Sequence, residues 1–176
     1  MGGRKGGGPL PKRYLVFRWC IYALATLVLS FFQLLVADHV SLYGITPFLA
    51  PMLVGVVSSY EGSRAGPIFA LVFGVLCDLG TTAPAAGFFT FTFTLAALVA
   101  ALVAERLFSP GFLCSLASTA VCYLITALAR FVLLASSGAV GAAAVLAVEE
   151  FLISLPFLLV VFPVYRWVHQ KTAIDY

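Results

Sequence analysis

The placement of charge constrains this chain more than any other feature. Of ten Lys and Arg residues, only Arg130 falls inside an apolar stretch away from the basic margins of the segments. The others occupy the N-terminal tail (Arg4, Lys5, Lys12, Arg13 and Arg18), two short turns (Arg64 and Arg106) and the C-terminal end (Arg166 and Lys171). If the apolar stretches alternate across a bilayer, every basic residue outside them lands on one side, which is the positive-inside pattern of a polytopic inner-membrane protein. Composition points the same way. With 62% apolar and 10% charged residues, the chain has too little polar surface to cover a soluble fold. The net charge of +3 gives no case for nucleic acid.

Six apolar segments can be marked. The first runs from Tyr14 to Val36, too long for a signal peptide, and reads as a retained span. A polar turn opening at Asp38 and His39 follows, and Thr46-Pro47 has the N-cap and first-turn proline of a helix start. The second segment continues to Tyr60, interrupted by Pro51, and a tight turn around Glu61-Gly62 leads to a third, Pro67 to Leu79. The fourth covers Gly87 to Leu107, the fifth runs from Ser109-Pro110 to Ala135, and the sixth covers Ala142 to Val168, with a kink expected at Pro156. The second and third are shorter than the ~20 residues a full span needs, so they read either as short tilted helices or as a re-entrant hairpin. Both choices leave the termini on one side. The layout is all-α: a disordered basic cytoplasmic tail over residues 1–13, a six-helix transmembrane domain over 14–168 and a cytoplasmic tail over 169–176. Phe88 to Thr94 alternates with a period of two, but an unpaired strand cannot stand in lipid, so helix is expected there too.

Small residues supply the packing. Gly66, Ala70 and Gly74 recur every four residues, and Ala96, Ala97, Ala100, Ala101 and Ala104 form a second strip. Such strips let helices approach closely where no hydrophobic drive separates helix from lipid. Ionisable groups at such depth cost about 2.5–3.5 kcal/mol each at a helix centre and need a reason. Asp78, Arg130, Glu149 and Glu150 are the four candidates, all in the outer half of the layout. Arg130 should pair with one of the two glutamates or with Asp78; adjacent glutamates point about 100° apart, so both cannot face it equally. The pair reads as a lock between the last two segments, and the competing reading is a polar cavity open to the outside. The four cysteines form no CxxC pair and read as small buried hydrophobes. No metal cluster, phosphate loop or serine–histidine–acid arrangement is visible, so neither catalysis nor a cofactor is expected.

The stretch from Tyr60 to Phe108 carries a resemblance. Glu61-Gly62, Gly66, Gly74-Val75-Leu76-Cys77-Asp78, Gly87 and the alanine-rich run into Glu105-Arg106-Leu107-Phe108 together resemble the rod-shape-determining MreD family. The resemblance implies a six-helix bundle like the substrate-binding S-components of energy-coupling-factor transporters. It also implies a multi-pass protein of the bacterial cytoplasmic membrane, with both termini cytoplasmic, that supports peptidoglycan synthesis and rod shape as a non-catalytic subunit of the elongasome. Its implied partners are the bitopic protein MreC, the actin-like MreB, the polymerase RodA and a class B penicillin-binding transpeptidase. Glu61 would be available to Arg64 or to a cytoplasmic partner, and Asp78 would cap or anchor the outer end of its helix. The alternative function is that of a vitamin-binding S-component itself.

Overall fold

Long apolar runs that cannot pair their backbone with water form helices, because a helix satisfies every interior N–H and C=O from within. The structure, a computed structural model, describes residues 12–37, 48–80, 85–107, 111–134 and 140–173. They form α1 (Lys12–Ala37), α2 (Ala50–Gly80), α3 (Phe88–Leu107), α4 (Phe112–Leu134), α5 (Val140–Ser154), a 3-10 turn (Leu155–Phe157) and α6 (Leu158–Ala173). By length and composition alone, four helical stretches could cross a membrane: α2 taken end to end, the Phe88–Arg106 and Phe112–Leu133 parts of α3 and α4, and Ala147–Gln170 across the α5–α6 break. In α1 the apolar stretch Phe17–Gln33 is shorter.

Helix α2 is two helical arms, as the sequence divides it, and the break falls within the expected tight turn, at Gly62 (φ 69°, ψ −170°). An L side chain is strained at that φ. The chain reverses there. A Cβ built on Gly66 would lie 3.0 Å from the Cα of Ser58. Eight residues along a straight helix would separate them by about 12 Å. The two arms, 50–61 and 63–80, therefore fold against each other as a hairpin. Helix α2 starts at Ala50 rather than at Thr46-Pro47, and residues 46 and 47 lie outside the described residues. The later start puts Pro51 in the first turn, where its missing N–H removes no helical bond; Pro51 therefore does not interrupt the segment.

Other boundaries also differ from the sequence reading. Helix α1 starts at Lys12, inside the expected tail, and takes Arg18 into the helix. Helix α6 runs to Ala173, past the expected boundary at Val168. In both places the backbone gains hydrogen bonds by continuing the helix beyond the apolar run. The period-two stretch is helical, as lipid requires. Pro156 breaks the last helix through the 3-10 turn, and Pro163 is carried inside α6.

Helices α2, α3 and α4 pack closely on one another, while α1 rests mainly on α6. The close block is built on missing side chains. A Cβ on Gly74 would come 2.6 Å from the Cα of Thr90 in α3, and one on Gly55 2.7 Å from the Cα of Thr119 in α4. Ala96, Ala97, Ala100, Ala101 and Ala104 are all buried on α3. Ser59 and Ser115 add a hydrogen bond between α2 and α4 at 2.9 Å. Contacts of α1 are fewer and point-like: Tyr22 stacks on Tyr165 (5.8 Å, 21°), and Thr26 Oγ1 lies 2.7 Å from the Tyr165 hydroxyl.

Candidate functional site

Polar side chains gather at the two ends of the bundle. At one end the reversal in α2 brings Glu61 to the first turns of α1 and the last turns of α6. Glu61 Oε1 accepts a charge-assisted hydrogen bond from Arg18, and His169 Nδ1 lies 3.9 Å from the same oxygen. The Glu61 side chain is only 5% exposed, so its charge is neutralised inside the protein. The Tyr60 ring lies 5.0 Å from the His169 ring, and the Tyr22 hydroxyl 3.5 Å from His169 Nδ1. The expected partner Arg64 is exposed instead. Glu61 points across the bundle rather than along its own arm, so the reading that it serves Arg64 or a cytoplasmic partner is corrected to an internal pair with Arg18.

The same end holds a residue whose role sequence reading missed. Glu105, near the end of α3, accepts the Ser63 N–H at 2.7 Å and the Ser63 hydroxyl at 3.2 Å. Ser63 opens the second arm of α2, so its N–H lacks a helical partner, and Glu105 supplies one. A Cβ on Gly62 would fall 2.7 Å from Glu105 Oε1, so the glycine meets both the backbone angle and the space. The orphan N–H that follows any glycine-centred helix break was the available signal.

At the opposite end Asp78 caps α3. It accepts N–H bonds from Phe89 (3.0 Å) and Thr90 (2.9 Å) and the Thr90 hydroxyl at 2.6 Å. Gly87 (φ 73°) turns the chain into α3, and its carbonyl accepts the Phe91 N–H. Asp78 thus fastens the helix that follows its own, and Gly74 one turn earlier allows the close approach.

Arg130 Nη1 donates to both carboxylate oxygens of Glu150, at 2.9 and 2.7 Å. The guanidinium carbon also sits 5.1 Å above the Phe48 ring. Phe48 is a hub: its carbonyl accepts the Tyr123 hydroxyl, and its ring lies 5.6 Å from Phe89. Glu149, about 100° further round the helix, makes no ion pair among the described residues. A void of only about 10 Å³ remains beside Arg130 and Glu150, room for about one water molecule. Among the described residues, the pair therefore joins α4 to α5 and encloses no space for an organic ligand.

No group of three or more potential metal ligands occurs among the described residues. Cys114 and Cys122 are buried and Cys77 half-buried, but Cys20 is exposed on α1, which corrects its reading as a buried hydrophobe. It lies on the side of α1 turned away from α6. His39, the Ser109-Pro110 helix start and the four connections 38–47, 81–84, 108–110 and 135–139 lie outside the described residues. Comparison with protein-family models, with curated proteins and with solved structures finds no match to this chain.

Proposed function

We propose that this chain is a non-catalytic membrane scaffold of the bacterial elongasome, of the MreD kind, which binds an MreC-like single-span protein and supports peptidoglycan synthesis. In this reading α1, each arm of α2, α3, α4 and the α5–α6 pair cross the inner membrane once, giving a bundle like that of the S-components. The first arm of α2 is short for a span, at about 18 Å against a hydrocarbon core of about 30 Å, so the bilayer thins beside it. The Glu61 end faces the cytoplasm because Arg18, Arg64 and Arg106 gather there.

One observation carries the reading. The described residues that carry the resemblance fall on one pair of elements, the α2 hairpin and α3 with the turn that opens it. Gly62 and Glu105 join the pair at one end, and Asp78 and Gly87 at the other. Gly66 and Gly74 line its seams against Ser58 and Thr90. Each of them sets backbone geometry or caps a helix, and none points into a pocket with convergent polar groups. That is the pattern of a framework that holds other proteins. The MreB, RodA and class B penicillin-binding transpeptidase contacts follow from the same reading, through the MreC-like partner.

Co-purification tests it. The tagged chain, extracted in mild detergent from cells that also express an MreC-like protein, is expected to retain that protein in near-stoichiometric amount. Its absence from the eluate overturns the scaffold reading. A vitamin-sized ligand retained instead favours the S-component function.

A further inference from the structure

The fold brings two arginines to one rim at the Glu61 end. Glu105 Oε1 and Oε2 accept the N–H and the hydroxyl of Ser63, so the next residue on each element, Arg64 on α2 and Arg106 on α3, stands beside that contact. Both charges act on the Glu105 carboxylate, but neither arginine makes an ion pair among the described residues. Both side chains are exposed. Glu105 spends its two oxygens on the donors of a helix start, and Glu61 is taken by Arg18. Two guanidinium groups, with five donors each, are therefore left for an anion from outside. Membrane sidedness needs only their charge; it does not need them joined through a hydrogen bond between their neighbours. We propose that Arg64 and Arg106 bind the phosphate of an anionic phospholipid in the leaflet at this end.

What lies beneath the arginines decides between a lipid and a soluble acidic partner. Along α2, Ile68, Leu71 and Val75 follow Arg64 at i+4, i+7 and i+11. Along α3, Leu102, Leu98 and Leu95 precede Arg106 at i−4, i−8 and i−11. These intervals keep each set on one stripe with its arginine, and all six side chains are exposed. Each stripe runs about 17 Å from its arginine, against about 15 Å for the hydrocarbon of one leaflet, half of a core of about 30 Å. The matching ligand carries an anion at one end and an apolar body as deep as one leaflet. An anionic phospholipid has both; a water-soluble acidic segment has only the first. Depth agrees. The apolar stretch of α3 ends at Arg106, and both tryptophans of the chain, Trp19 and Trp167, belong to the same end, where tryptophan marks the headgroup level. Arg166 is the useful contrast. It is exposed at this end too, but on α6, and its guanidinium carbon lies over the Phe162 ring at 6.0 Å.

Anionic lipid binds here whether or not the chain is a scaffold, and co-purification with an MreC-like protein tests that other reading on its own. The full chain, purified and equilibrated in mixed micelles with equal amounts of phosphatidylglycerol and phosphatidylcholine, is probed by native mass spectrometry. Phosphatidylglycerol adducts are expected to exceed phosphatidylcholine adducts about tenfold, the scale of two arginines against one opposing carboxylate near a headgroup. The pair Arg64→Gln and Arg106→Gln should bring the ratio below about twofold, while Arg166→Gln leaves it unchanged. Equal retention of the two lipids by the parent chain overturns the proposal and leaves the arginines to an acidic protein surface. A ratio that survives the double substitution overturns it, as does one that Arg166→Gln lowers equally, since net charge alone then accounts for it. A second measurement needs no variant. Phosphatidylglycerol with a diazirine in its acyl chain, in vesicles that hold the full chain, should label peptides containing Leu71 or Val75 and Leu98 or Leu102. Excess unlabelled phosphatidylglycerol should compete, and inorganic phosphate should not. Labelling spread evenly over the exposed faces of all helices overturns the proposal, and competition by inorganic phosphate overturns the lipid in favour of a free anion.

Discussion

The α2–α3–α4 block and the α1 flank hold together by opposite means. In the block, helices touch through glycine and alanine, and backbones meet: Gly74 against Thr90, Gly55 against Thr119. The flank is held by long side chains at a few points, namely Arg18 on Glu61, Tyr22 and Thr26 on Tyr165, and Gln33 on Leu49. Packing energy in a block of this kind is spread over many small contacts, each lost when one atom is added. In the flank it is concentrated, so substitutions at those points and at the buried Leu29 matter, and those on the exposed side do not. The difference teaches where the fold tolerates added bulk: beside α1, where contact is sparse, and not within the block.

Substitutions should break this contrast in a graded order. Gly74→Leu drives a side chain into the Thr90 backbone, which cannot retreat without moving α3. It should cost about 3 kcal/mol in equilibrium unfolding in mixed micelles, the upper end for overpacking. A loss below about 1 kcal/mol would mean the block is not close-packed there. Next comes Glu61→Gln, which leaves Arg18 without its anion. The cost should be about 2 kcal/mol, less than for a fully buried pair because the Arg18 side chain keeps 23% exposure. Pairing Arg18→Met with Glu61→Leu should recover most of it, since the apolar pair removes both desolvation terms. Asp78→Ala strips three acceptor contacts from the start of α3 and should cost about 1 kcal/mol, with Asp78→Asn costing less than half of that because asparagine also caps. Smallest of all, Leu24→Ala on the exposed side of α1 should change stability by less than about 0.5 kcal/mol. A large effect there would show that α1 buries a face the structure leaves open.

Much of this arrangement could be read from residues alone. The helices, the Pro156 break, the alanine strip of α3 and the use of Arg130 against a glutamate all follow from backbone satisfaction in lipid and from the cost of an isolated charge. Which glutamate pairs with Arg130 did not follow, because Glu149 and Glu150 differ only in angle around the helix. Long-range pairings were also hidden. Arg18 meets Glu61 across 43 residues, and Thr26 meets Tyr165 across 139. In a soluble helix the polar face reveals the buried one. In α1 the order is inverted: Arg18, Tyr22, Thr26 and Gln33 share one stripe of the helix, and this polar stripe is the side that meets Glu61, Tyr165 and Leu49. Pro51 misled, because a breaker is harmless in a first turn, whereas Gly62 marks the reversal that its place in the sequence predicts.

The whole account depends on the two polar ends lying on opposite sides of a bilayer, with the arms of α2 crossing between them. Thiol labelling in a chain whose four native cysteines are replaced by alanine tests this directly. A membrane-impermeant maleimide should label Gly80→Cys in intact spheroplasts and Ser63→Cys only after the membrane is opened. Labelling of both residues from the same side would contradict it, because the second arm of α2 would then not cross the bilayer.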